Sequence, residues 1–119
     1  MIPAFPDDPV GLFFALLVVH ALADFPLQGS YLARQKVRAS ADGTVEWVVA
    51  LIAHSLIHAG AVWLITGSRV LAVTEFILHA LIDSGAGKKR LSMWADQSLH
   101  VVCKLIYVVV IALGWVTLT

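Results

Sequence analysis

The chain has 119 residues, 60% of them hydrophobic and only 13% charged, with a mean hydropathy of +0.87. Soluble domains carry roughly a quarter of their residues as charges, so the composition excludes an ordinary water-soluble domain and points to one integral membrane domain over residues 1–119. Eight basic and eight acidic residues leave a formal charge of +0, with no basic stripe interleaved with aromatics, so the expected partner is a lipid bilayer and no nucleic acid.

Residues 1–9 hold Pro3, Pro6 and Pro9 among Asp7 and Asp8 and read as a short extended lead-in. The first expected helix spans 10–28, about 19 residues, enough to cross a hydrocarbon core of roughly 30 Å at 1.5 Å per residue. No Lys or Arg precedes it, unlike a secretory signal, so it is read as a retained transmembrane helix that Pro26 kinks or ends. The segment 29–43, with Tyr31, Leu32, Arg34, Lys36 and Arg38, reads as an interfacial turn or short surface helix.

A second helix is expected over 45–65, with Glu46 and Trp47 anchoring its entrance, followed by the tight turn Thr66-Gly67-Ser68-Arg69. The third, 70–84, has about 14 strongly apolar positions, which is short for a span and suits a helix sheltered inside a bundle. Gly85 and Gly87 close it ahead of the basic loop Lys88-Lys89-Arg90, and a fourth helix covers 91–117. Cys103, the single cysteine, reads as a small apolar filler. The expected fold is therefore all-α, a four-helix transmembrane bundle with up-down antiparallel order. Two basic connections against Arg69 alone place both termini outside a bacterial inner membrane crossed several times.

Every histidine of the chain stands four residues from a histidine or an aspartate: His20 and Asp24, His54 and His58, His79 and Asp83, Asp96 and His100. On a helix that spacing puts both side chains on one face. With antiparallel helices, all four pairs fall in the cytoplasmic half of the membrane or at its midplane. Each aspartate in a membrane helix costs about 2.5 to 3.5 kcal/mol, and the whole set asks for roughly 8 to 10 kcal/mol of compensation. Hydrogen bonds at about 1 to 2 kcal/mol each offset part of this. A divalent cation, releasing on the order of 10 kcal/mol at a structural site, offsets all of it.

The expected ligands are thus His20, Asp24, His54, His58, His79, Asp83, Asp96 and His100, twice what one tetrahedral zinc needs. One or two divalent ions are expected, two sharing a carboxylate being the natural guess, with Zn favoured by the nitrogen-rich set and Fe, Mn, Ni or Co open. Gln28, Gln97 and Lys104 are candidates for orienting ligands or neutralising a carboxylate, whereas Lys104 can equally snorkel and Glu75 can bond within the bundle.

The order His20-xxx-Asp24-Phe25-x-Leu27-Gln28, His54-xxx-His58, His79-xxx-Asp83 and Asp96-Gln97-xx-His100 resembles a family of small bacterial and phage-encoded membrane proteins classed as a domain of unknown function. That resemblance implies a membrane topology and these polar positions. The piece His79-Ala80-Leu81-Ile82-Asp83-Ser84-Gly85 is similar to inner-membrane metal-dependent hydrolases, whose further acidic and Thr-His elements this sequence lacks. Paired His-xxx-Asp helices also look like those of zinc-dependent phospholipase C and nuclease proteins, and of cation-diffusion transporters.

The leading expectation is a metal-dependent hydrolase acting at the cytoplasmic face on a lipid-like or phosphoester substrate. A metal there lowers the pKa of bound water toward 7, and Asp24 or Asp96 serves as general base. Lys88, Lys89 and Arg90 are placed to attract an anionic lipid headgroup. Two alternatives differ in class. One is a divalent-cation or proton transporter using the His/Asp pairs as its ion site. The other is a non-catalytic phage or host membrane module with a structural metal, in which the short third helix and the apolar fourth favour a homo-oligomer.

Overall fold

A computed structural model describes residues 8–87 and 92–116. These are helical throughout their ordered elements: α1 (Pro9–Asp24), α2 (Gly29–Gln35), α3 (Thr44–Thr66), α4 (Arg69–Gly87) and α5 (Met93–Ala112). The lead-in up to residue 7, the basic run Lys88-Lys89-Arg90 and the last three residues lie outside the described residues, as do the readings that rest on them.

The Asp8 side chain caps α1 by accepting from the Gly11 backbone N–H at 2.9 Å, and Pro9 supplies a pre-set φ at the first helical position. The helix then stops at Asp24, four residues short of the expected 10–28 span, because Pro26 has no N–H to continue the ladder. Across this break the axis turns by 86°. Gly29 takes φ +70°, a left-handed conformation open to glycine, and Gln28 Nε2 donates to the Asp24 carbonyl at 3.0 Å, satisfying one orphan acceptor of the helix end.

After the turn, α2 packs back onto α3. Leu32, Gln35 and Lys36, spaced i, i+3, i+4, form its inner face, with Gln35 fully buried and Tyr31 and Arg34 exposed. Asp42 fastens the connection to α3: it accepts from the Arg34 guanidinium at 2.6 and 3.2 Å and from Gln35 Nε2 at 2.7 Å, while its own N–H donates to Gln35 Oε1 at 2.9 Å. Hydrogen bonds from Arg34, then from Gln35, hold the Asp42 carboxyl below the usual carboxylate range. A carboxyl with a lowered folded pKa stabilises the fold above its unfolded value of about 4, and that stabilisation is lost as pH falls through the folded value. Protection against hydrogen exchange across residues 29–36, relative to the intrinsic rate at each pH, is therefore expected to fall on acidification below about pH 4, and Asp42→Ala is expected to show the reduced protection already at neutral pH. Unchanged exchange in that variant would remove Asp42 as the clasp.

Between α3 and α4 only Gly67 and Ser68 intervene. Gly67 closes α3 at φ +71°, and Ser68 Oγ accepts from the Leu71 N–H at 3.1 Å, so the two helices form a tight antiparallel hairpin. The four longer helices close a ring in which α1 touches α3 and α5, and α4 touches α3 and α5. One end of the ring is filled by Leu12, Leu16, Val62, Ile65, Leu71, Tyr107, Val108 and Ile111. These come from the start of α1, the end of α3, the start of α4 and the end of α5, so neighbouring helices run in opposite directions. The helix expected over 91–117 begins, among described residues, at the Ser92 cap and ends at Ala112, where Gly114 at φ +74° turns the chain.

The distribution of polarity is inverted relative to a soluble protein. Among the described residues, twelve apolar and thirteen polar or charged side chains are buried, while Phe14, Val49, Leu56, Ile77, Leu81 and Ile106 face outward. On α4 the four-residue series Leu71, Glu75, His79, Asp83 points in and Val70, Val73, Ile77, Leu81 points out. Two helices, α3 and α5, are each long and apolar enough to cross a membrane, and α1 with α2 passes that test only as a bent pair. Trp47 and Trp94 sit at the starts of α3 and α5, Trp63 and Trp115 at or beyond their ends, the arrangement of two interfacial aromatic belts. This is the pattern of a membrane protein.

Candidate metal centre

The inner faces of all four longer helices meet at the end opposite the apolar cluster, where the C-terminal end of α1 lies beside the N-terminal end of α5. Five imidazoles gather there, with ring centroids 3.7 Å apart for His58 and His79 and 4.2 Å for His79 and His100. His54, His79 and His100 are fully buried and His20 and His58 nearly so.

Two aspartates organise the imidazoles. Asp24 Oδ1 lies 2.9 Å from His58 Nε2 and 3.2 Å from His54 Nε2, and Asp24 Oδ2 lies 3.3 Å from His20 Nε2. Asp83 Oδ2 lies 3.2 Å from His79 Nε2 and 3.4 Å from His54 Nε2, and Asp83 Oδ1 lies 3.3 Å from His100 Nε2. Asp96 stands at the rim, its Oδ1 3.6 Å from His100 Nε2. All eight sequence-derived ligand candidates thus converge on one place.

Of the residues expected to support them, Gln97 bridges the carboxylates: its Nε2 donates to Asp24 Oδ2 at 3.0 Å and to Asp96 Oδ2 at 3.2 Å, and its Oε1 lies 3.1 Å from His20 Nε2. Among the described residues, Gln28 hydrogen-bonds the Asp24 backbone carbonyl and not its carboxylate. Lys104 neither snorkels nor touches the aspartates; it is buried and donates to the equally buried Glu75, one layer deeper toward the apolar cluster. Ser55 is buried with its hydroxyl unpaired, and Ser98 is exposed.

Lys36 belongs to the site although its sequence context suggested a solvated interfacial charge. The fold of α2 brings Lys36 Nζ to 3.2 Å from Asp83 Oδ2 and 3.2 Å from His54 Nε2. The available signal was the i, i+3, i+4 series Leu32, Gln35, Lys36, which marks one face of a helix; the turn that directs this face onto α3 is a tertiary feature.

Hydrogen bonding alone does not satisfy this cluster. His54 Nε2 faces two carboxylate oxygens and an ammonium within 3.4 Å, yet one ring nitrogen offers either a single proton or a single lone pair. His79 Nε2 is buried with no hydrogen-bond partner, its 3.2 Å approach to Asp83 being poorly directed. A cation that accepts nitrogen lone pairs resolves both. Ligand atoms of Asp24, His54, His58 and His79 lie within 4.8 Å of one another, and so do those of Asp83, Asp96 and His100. The two groups share no residue. A third group, Glu75, His79 and His100, overlaps both and has its carboxylate committed to Lys104. Buried His/Asp groups here can therefore hold a metal ion.

On one side the cluster opens into a cleft of about 220 Å³ lined by Asp24, Gln28, Lys36, Asp96 and Gln97, with Phe25 and Met93 on its lips. Comparison with curated proteins and with solved structures finds no match to this chain. A family model described as a protein of unknown function (DUF3307) matches residues 12–119, which contain the whole cluster, and the chain belongs to that family.

Proposed function

We propose that this chain is a membrane-embedded metal-dependent hydrolase whose His/Asp centre holds two divalent cations and acts on a phosphoester presented at the membrane surface. In this reading four antiparallel helices cross a bacterial inner membrane, with both termini outside and the centre in the cytoplasmic half. The low apolarity of α4 reflects its inward series Glu75, His79 and Asp83, while Val70, Val73, Ile77 and Leu81 on its outward side are suited to lipid. Asp24, His54, His58 and His79 hold one cation; Asp83 and His100, with Asp96 at the open side, hold the other. Zinc suits the nitrogen-rich first set.

Divalent cations supply Lewis acidity toward a phosphoryl oxygen and toward water. The chain's own residues do the rest. Asp24, held on both sides by imidazoles and by Gln97, keeps the ligand set in register. Asp96, which lines the cleft, takes a proton from the attacking water. The water oxygen bonds to phosphorus, the ester P–O bond breaks, and the proton passes to the departing alkoxide, so that ester and water become alcohol and phosphate.

One observation carries this reading: Asp24 and Asp96 both belong to the buried ligand cluster and line the open cleft, so a substrate reaches the centre from one side. A transporter needs access from two, and the far end of the ring is packed with Leu12, Leu16, Val62 and Ile65. The test is metal analysis of detergent-purified protein followed by a panel of phosphoester and ester lipids. Two equivalents of metal and metal-dependent release of phosphate are expected. Uptake of the cation into proteoliposomes without any turnover would replace hydrolysis by transport.

A further inference from the structure

We infer that Lys36 is the phosphate-binding group of the cleft and that the substrate is a phosphate monoester; this rests on the two-cation hydrolase reading. Three basic residues lie on or just after α2, and two are committed to the fold: Arg34 to Asp42, Arg38 to the face of Trp47 at 5.0 Å. Lys36 alone turns toward the centre. Its side chain is 16% exposed, lines the cleft and sits 3.2 Å from Asp83 Oδ2, so one ammonium borders both the ligand cluster and the space open to substrate.

Charge balance selects the ligand. Asp24, Asp83 and Asp96 bring three negative charges, and with neutral imidazoles two divalent cations and Lys36 bring five positive ones. The excess of two matches the dianion of a phosphate monoester, whose second pKa is near 6, and exceeds the single charge of a diester. Buried charge of one sign is costly unless matched, so the monoester is the preferred occupant. Lysine serves phosphate as a compact point charge with three donors. Phe25 and Met93, 61% and 74% exposed on the cleft lips, offer apolar contact to the remainder of an amphiphilic monoester, while free inorganic phosphate fits the same charge.

The experiment uses full-length zinc-loaded protein in phosphatidylcholine vesicles, with inorganic phosphate in one arm and 10 mol% (about one lipid in ten) phosphatidic acid in the other. Lys36→Met is expected to weaken phosphate binding by about 10- to 100-fold, the worth of one charge-assisted hydrogen bond, with zinc content unchanged. Lys36→Arg is expected to retain most binding, and Arg69→Met, which alters an exposed basic residue at the opposite end of the ring, to retain it fully. Release of phosphate from phosphatidic acid, lost in Lys36→Met, assigns the lipid source; binding of inorganic phosphate alone assigns the free ion. Zinc-loaded Lys36→Met that binds phosphate as the unaltered protein does overturns the inference and leaves the hydrolase reading standing. Lys36-dependent phosphate binding by protein that takes up no metal keeps the phosphate site and removes the hydrolase.

Discussion

Replacing Asp24 with asparagine is expected to weaken metal binding by about 100-fold or more and, under the proposed hydrolase reading, to abolish turnover. Asp24 is the residue on which three helices meet: His20 from its own helix, His54 and His58 from α3, and Gln97 from α5 all lie within 3.3 Å of its two oxygens. Changes to groups that merely support a metal ligand cost about 10- to 100-fold in affinity, and Asp24 is both a ligand candidate and the support of three others. Asparagine preserves shape while removing the charge and turning one acceptor into a donor that faces His58 or Gln97. The measurement is competition against a chromophoric chelator, with circular dichroism to verify that helix content is kept. Wild-type affinity in a folded Asp24→Asn protein would exclude Asp24 from the centre.

The second large effect is expected away from the centre. Glu75 and Lys104 are fully buried and pair with each other, one helical turn from His79 and His100 respectively. Lys104→Met leaves the Glu75 carboxylate without its partner, a change that costs about 3 to 5 kcal/mol at buried ion pairs. The double variant Glu75→Gln/Lys104→Met removes both charges and is expected to recover most of that loss, because a buried pair gains little over a neutral packing of similar volume. Unfolding in detergent micelles measures each difference. Near-additive losses would show that the two side chains act independently. Retained metal content in Lys104→Met, Glu75→Gln and the double variant is expected, since neither residue touches Asp24 or Asp83 in the structure.

Much of the candidate site was legible before the fold was known. Helical i, i+4 spacing forces His20 beside Asp24 and His79 beside Asp83 wherever the helices go, and charged groups in an apolar chain must be paired or coordinated. The first helix was read four residues too long because the apolar pattern continues past Asp24, whereas the backbone cannot follow it through Pro26. The depth of Glu75 was legible from its helix; its partner was not, since Lys104 lies on α5, 29 residues away.

Sequence alone determined that the chain is all-helical, too apolar for an ordinary soluble domain, and equipped with four polar pairs, because periodicity and burial cost are local properties of residues and their spacing. Tertiary structure decided which pairs face one another. The 86° elbow after α1 swings Lys36 into the cluster, the two-residue link Gly67-Ser68 sets α4 against α3, and the ring of helices gathers the pairs at one end while packing Leu12, Leu16 and Tyr107 at the other. Such outcomes depend on turn geometry and on contacts between residues distant in the chain, which local spacing does not encode.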